Sequence, residues 1–171
     1  MKTLIIQGSA RKSGNTNKVV NYIQEKIKCD FVDLKNYTIS NYEYDSRNKG
    51  DDFLPLMRRV VEYDLIIFAT PIYWYAMSGI MKSFFDRITD CLKIEKETGR
   101  KLRGKQMAMI NCGSDKDSVL AIEKEFEMPF RETASYLGMI YKGSVQTWIN
   151  TDKVSEEVIQ NLDIFIDKIT K

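Results

Sequence analysis

Leu65-Ile66-Ile67-Phe68-Ala69 is apolar at every position, and no other stretch limits the fold so strongly. A strand with one wet face alternates apolar and polar residues, whereas a short continuous run marks a strand covered on both faces. The cover has to come from helices, and helical stripes lie on either side of the run. Phe53, Leu56, Met57, Val60 and Val61 form one before it. Asp51 or Asp52 is its expected cap, and Pro55 falls in the first turn, where a missing N–H does no harm. Ile80, Met81, Phe84, Phe85, Ile88 and Cys91 form another after it, on a helix expected from about Ser78 to Leu92.

The same alternation runs through the whole chain. Thr3 to Gln7 reads as a strand, followed by a helix carrying Val19, Val20, Ile23 and Ile27. Asp30 to Leu34 alternates polar and apolar residues, as an edge strand does. Lys35 to Asp51 has no period, and an aperiodic segment of that length is a functional or poorly ordered one. Ile94 to Gly104 reads as a charged connection, and Met107 to Ile110 as a strand within Lys105 to Cys112. A helical region from about Ser118 to Leu137 is expected to break or kink at Pro129. Met139 to Trp148 is the last expected strand, and Ser155 the cap of a final helix through Val158, Leu162, Phe165 and Ile169. Five strands alternating with five helices give an α/β, three-layer sandwich with one parallel sheet. The 171 residues, 43% of them hydrophobic, suffice for one core, so residues 1–171 are read as a single domain. Five strands suit the order 2-1-3-4-5, that of the flavodoxin fold, which binds ligands beyond the carboxyl ends of the strands at the β1/β3 switch point.

Those carboxyl ends carry the chain's least ordinary loops. The first is Gly8-Ser9-Ala10-Arg11-Lys12-Ser13-Gly14-Asn15-Thr16. It lies between a buried strand and a helix start, where unpaired N–H groups and the aligned peptide dipoles favour an anion. The glycines permit close approach, and Ser9, Ser13, Asn15 and Thr16 supply donors. Neither Gly-x-x-x-x-Gly-Lys-Ser/Thr nor Gly-x-Gly-x-x-Gly is present, so one terminal phosphate fits better than a hydrolysed nucleotide or a dinucleotide. The second loop, Thr70-Pro71-Ile72-Tyr73-Trp74-Tyr75, puts three adjacent aromatics where a plain connector gains nothing from them. They suit a wall against a flat ring, or packing under a helix or at a subunit contact. The third is Asn111-Cys112-Gly113-Ser114-Asp115.

Composition removes several chemistries. There is no histidine, which takes away the commonest general base, the histidine triads and the usual zinc ligands. Cys29, Cys91 and Cys112 are odd in number and widely spaced, as expected of reduced thiols in a cytoplasmic protein. The N-terminus reads straight into a strand with no signal-peptide pattern, and no apolar run is long enough to span a bilayer, so no membrane is expected. A net charge of +2 with interspersed signs gives no reason to expect a nucleic-acid partner.

Two motifs carry a family resemblance over Met1 to about Gly143. The Gly8 loop resembles the phosphate loop of the flavodoxin-like flavin reductases, Gly-Ser-x-Arg-x-x-Ser/Gly-Asn-Thr/Ser. Thr70-Pro71-Ile72-Tyr73-Trp74, then Ser78-Gly79 and Lys82-Ser83-Phe84-Phe85-Asp86-Arg87, resembles the second signature of the NADPH-dependent FMN reductases. The resemblance implies FMN as cofactor and NAD(P)H as co-substrate. It makes Ser9, Arg11, Ser13, Asn15 and Thr16 phosphate ligands, and Pro71, Ile72, Tyr73 and Trp74 ring contacts. Asn111, Cys112, Gly113 and Ser114 would line the far side. The iron–sulfur branch resembling this family carries a cysteine cluster where this chain has Ile39 to Arg47 without cysteine. Three cysteines in all cannot supply the four thiolates of a cluster. Cys112 reads as a small buried hydrophobe, and Asp86 and Arg87 as a surface ion pair or packing contact.

The implied activity is an FMN-dependent NAD(P)H oxidoreductase reducing a small acceptor such as a quinone, a nitroaromatic or a flavin. No catalytic side chain is needed, because the cofactor carries the chemistry. An electron-transfer flavodoxin or a flavin-sensing binding protein is the alternative. A pI near 8.3 weighs against the first of these, whose docking faces are acidic. The aromatic surface and the family together imply a homodimer or homotetramer.

Overall fold

The computed structural model describes every residue except Ser46, Arg47, Lys49 and Asp152. The strands are β1 (Thr3–Gln7), β2 (Asp30–Asp33), β3 (Leu65–Tyr73), β4 (Ala76–Met77), β5 (Gln106–Gly113) and β6 (Ile140–Trp148). The helices are α1 (Asn15–Lys26), α2 (Phe53–Val60), α3 (Gly79–Lys93), α4 (Lys96–Arg100), α5 (Lys116–Ala121), α6 (Glu123–Leu137) and α7 (Glu156–Thr170). Five strands are parallel in the order β2-β1-β3-β5-β6, which is the expected 2-1-3-4-5, and β4 folds back antiparallel on the end of β3. The sixth strand is a departure from the expected five.

Period-two alternation divides the core between the two faces. Leu4, Ile6, Ile66, Phe68, Met107 and Met109 pack with α2, α3 and α6, while Ile5, Ile67, Ala69, Ala108 and Ile110 pack with α1 and α7. Every residue from Leu65 to Thr70 is buried, as the continuous apolar run requires. Phe68, Phe84, Phe85 and Phe130 interlock edge to face or tilted, with centroids 4.9–6.3 Å apart. That geometry suits the positive edge of one ring against the negative face of the next.

Three expectations about elements are corrected. The stretch after Ala69 is not a loop, because β3 continues to Tyr73 and Thr70 and Pro71 pair with Asn111 and Cys112. A proline is tolerated in this central strand for a geometric reason. Ala69 O accepts from Gly8 N–H, so two residues on, the nitrogen of Pro71 faces the side where β1 has already ended. The helical break falls at Ile122 rather than Pro129, which lies inside α6. Core contacts of Phe126, Phe130, Ala134 and Leu137 carry the helix through the hydrogen bond that proline removes. The charged connection also holds a short helix, α4, whose Gly99 lies so close to Cys91 that a Cβ would meet its carbonyl oxygen at 2.3 Å.

Candidate functional site

The Gly8 loop ends in an uncapped helix. Gly14, which has no side chain to cap with, is the N-cap of α1, and among the described residues no side chain accepts from the first turn. Neither Asn15 nor Thr16 is the cap; they are the first two helical residues. Their N–H groups, and that of Asn17, have no partner within the helix. The Asn15 side chain is used elsewhere: Nδ2 donates to Ile149 O at 2.8 Å. Ile149 N–H in turn donates to Gly113 O at 3.0 Å. One residue after β6 thus fastens the start of α1 to the end of β5.

Ser9 and Thr16 are both buried and line one cleft of about 290 Å³. Its other walls are Arg11, Asn15, Pro71, Ile72, Tyr73, Cys112, Gly113 and Ser114, with Gly14 at the base. Residues from three distant stretches therefore meet in one cavity. Ser13 is exposed and Asn111 fully buried, and neither lines it. Asn111 faces β6, where Oδ1 accepts from Thr147 N–H and its carbonyl from Thr147 Oγ1. Trp74 lines an adjoining cavity of about 220 Å³ with Tyr75, Asp115 and Ser118, and the two cavities share Ile72, Gly113 and Ser114. A larger cavity, about 660 Å³, lies elsewhere, between α3 and α6.

Gly113 permits this meeting, since a Cβ there would fall 2.4 Å from Val119 Cγ2. Gly8 does the same at the start of the Gly8–Thr16 loop, where a Cβ would fall 2.9 Å from Met81 Cβ. Burial drives the Cys112 thiol up to about 11, with Thr147 and Lys18 working the other way. It is protonated at neutral pH and inert as a nucleophile. Gln7, the residue before Gly8, is fully buried with both amide atoms unpartnered in the chain. Such an amide calls for an ordered water or a ligand.

The aromatic stretch is a β-hairpin. Tyr73 pairs with Ala76, leaving Trp74 and Tyr75 as a two-residue turn. Both have positive φ, 50° and 63°, the sign required at the centre of a type I′ turn that ordinarily takes Asn-Gly. Bulky aromatics in the left-handed region are strained, and Trp74 is 95% exposed at the tip. Packing under a neighbouring helix, one reading open from the sequence, does not occur within the chain.

Sequence reasoning missed one further contributor. Lys35 Nζ donates to Ala10 O and ties the Gly8 loop to the turn after β2; a lone lysine behind an edge strand carries no signal. Of the two readings open for Arg87, a surface ion pair or a packing contact, the second holds: it is fully buried away from the cleft, and its guanidinium donates to Asp90, Asp51 and the carbonyls of Ser40 and Asn48.

The donor set fits a terminal phosphate: an uncapped helix start, two buried hydroxyls and Arg11 around one cleft. Fold and cleft together define an α/β protein of the flavodoxin type, with a donor-lined cleft beside an aromatic hairpin. The comparisons agree and go further: residues 1–153 match the NADPH-dependent FMN reductases, and the chain belongs to that family. It is 30% identical over 155 residues to YwqN of Bacillus subtilis, a protein named as an NAD(P)H-dependent FMN-containing oxidoreductase, covering 85% of this chain and 83% of that one. Among solved structures, the Trp repressor binding protein of Bacillus subtilis superposes with a TM-score of 0.78 at 24% identity, over 98% of this chain and 97% of its own. An FMN-dependent NADH-azoreductase of Bacillus anthracis, in complex with FMN, gives 0.71 at 14% identity over 99% and 98%. By family, then, this is an NAD(P)H-dependent FMN oxidoreductase. Among the described residues no helix is long and apolar enough to cross a membrane.

Proposed function

We propose that residues 1–171 act as one FMN-binding domain that reduces a small acceptor, a quinone, a nitroaromatic or a flavin, at the expense of NAD(P)H. The observation that carries this reading is the cleft in which the uncapped start of α1 faces the β3–β4 hairpin. FMN, when bound, supplies the two-electron chemistry between nicotinamide and acceptor. Ser9, Thr16, Arg11 and the backbone N–H groups of Asn15 and Thr16 hold its phosphate, with Ser13 on the outer rim. Pro71, Ile72, Tyr73 and Trp74 flank the ring, and Cys112, Gly113 and Ser114 close the far side. Asn111 supports that side from behind through β6. Preorganised backbone donors at the ring edge need no rearrangement when charge develops, so no histidine is required.

The neighbouring cavity walled by Trp74 and Tyr75 supports an acceptor that is flat and small. The exposed hairpin also supports pairing with a second copy, as a homodimer or homotetramer, since aromatic surface of this kind marks an interface or a ligand groove. Light scattering then gives about 40 kDa or a multiple, twice the 19.9 kDa chain; a fully active monomer rules the pairing out. Three free cysteines support a reducing, cytoplasmic setting.

The deciding experiment is anaerobic mixing of the flavin-loaded protein with NADH and with NADPH. Loss of the yellow colour with at least one, and its return on adding a quinone, is the expected result. A flavin that stays oxidised with both nicotinamides defeats the reading.

A further inference from the structure

We propose that Ser78 is a positioning residue that couples the phosphate half of the site to the ring half, an inference that rests on the FMN reading above. Ser78 is the N-cap of α3, and its Oγ accepts from Met81 N–H at 3.1 Å. The same hydroxyl donates to Gly8 O at 2.6 Å, across 70 residues of sequence. Its N–H donates to Thr70 Oγ1 at 3.1 Å, and Thr70 Oγ1 donates to Pro71 O at 3.2 Å. Gly8, Thr70, Pro71 and Ser78 are all buried, so water does not readily replace these bonds.

The position of the circuit gives it a function beyond capping. Thr70 and Ser78 stand at the two feet of the β3–β4 hairpin, whose strained tip presents Trp74 and Tyr75. Gly8 opens the phosphate loop. Because a trans peptide is planar, holding the Gly8 carbonyl against Ser78 turns the Ser9 N–H the opposite way, out of the α3 side of the sheet. A hydroxyl that caps a helix needs only to accept. This one also donates, and the bond it donates fixes the first peptide of the phosphate loop relative to the hairpin. Whatever orders one element therefore orders the other, a coupling that is reciprocal by thermodynamic necessity.

The test uses the full chain stripped of flavin, with inorganic phosphate, riboflavin and FMN as probes. In the unaltered protein, saturating inorganic phosphate slows amide exchange in the hairpin, Tyr73 to Met77, although phosphate touches only the loop; this arm needs no variant. In Ser78→Ala that response is lost, and the ratio of FMN to riboflavin affinity falls roughly 3- to 10-fold, the size of one net hydrogen bond. A merely structural role would weaken both flavins alike and leave their ratio unchanged. Ser155→Ala removes an ordinary cap, that of α7, and keeps both the response and the ratio. Unaltered protein that binds phosphate and FMN with no change in the hairpin overturns the coupling alone. Unaltered protein that binds neither overturns the cofactor reading, and the coupling with it.

Discussion

The segment from Thr38 to Asp52 and the loop from Gly8 to Thr16 both follow a strand at the carboxyl edge of the sheet, and both are dense in polar residues. They spend those residues in opposite ways. In the first, Asp52 accepts from Thr38 N–H, Asp51 accepts from Ser40 and Phe53 N–H groups, and Arg87 closes the arrangement from α3. In the second, Ser9 Oγ makes one long contact with Arg11 N–H, and the first turn of α1 receives no side-chain cap. Asp51 and Asp52 are thus engaged within the chain, as parts of the structure rather than as a site. A loop that leaves its donors open at a helix start, beside a cleft lined by the buried Ser9 and Thr16, suits a bound anion.

The sharpest way to break the contrast is at Arg87. Its guanidinium is fully buried against two carboxylates that are themselves almost wholly buried, and its Cζ lies 4.9 Å from the Phe53 ring centroid. Arg87→Ala strands Asp51 and Asp90 without a cation, a loss of about 3–5 kcal/mol, visible as a lower urea midpoint. FMN bound to whatever folds should keep most of its affinity, because Arg87 bonds to Asp51, Asp90, Ser40 and Asn48, none of which lines the cleft. A matching loss of FMN affinity would show that the clamp belongs to the site. The clamp is also acid-sensitive. Burial works to raise the Asp51 pKa, but hydrogen bonds from Arg87, Ser40 and Phe53 outweigh it and hold it below the ordinary carboxylate value. A depressed folded pKa stabilises above the unfolded value near 3.9 and ceases to do so as pH falls through the folded pKa. Asp51→Asn should therefore lose less stability than the natural protein between pH 5 and pH 2.

The two loops were unequally legible. The Gly8 loop announces itself because its pattern is local: nine consecutive residues, a strand before and a helical stripe after. The clamp does not, since Arg87 sits among Lys82 and Asp86, which do form an exposed i,i+4 pair, and helical spacing alone cannot say which cation turns inward. Asn111 misled for the same reason. It stands at a strand end among polar residues, but strand parity sends its amide to Thr147 rather than to the cleft. The extension of β3 through Pro71 was hidden by the proline, whose acceptability depends on where another strand stops. The sheet order and the helical stripes depend only on periodicity, and they came through.

A smaller effect tests the open loop directly. Ser9→Ala with Thr16→Ala removes two buried hydroxyls that line the cleft, and FMN binding should weaken by about 2–4 kcal/mol, allowing for partial replacement by water. Flavin titration measures it. The urea midpoint of the flavin-free protein should hardly move, since neither hydroxyl caps α1. A drop in stability without a change in FMN affinity would reverse the contrast and make this loop as structural as the other.

The smallest expected effect has the opposite sign, and it concerns the strained turn of the hairpin. Trp74 and Tyr75 occupy the two positive-φ positions of the hairpin turn, a geometry that disfavours side chains with a Cβ by roughly 1–2 kcal/mol per residue. Replacing them with Asn-Gly, the pair suited to such a turn, relieves most of that cost. Little packing is lost in return, because Trp74 is almost wholly exposed and Tyr75 largely so. The flavin-free double variant should therefore be more stable by about 1–2 kcal/mol, after allowing for the extra freedom glycine gives the unfolded chain. It should also be a poorer enzyme, with a raised KM for the acceptor, because the aromatic wall of the second cavity is gone. A variant that is no more stable means the turn carries no strain. A variant more stable and equally active means the strain is held for something other than the acceptor, and pairing with a second copy becomes the thing to measure.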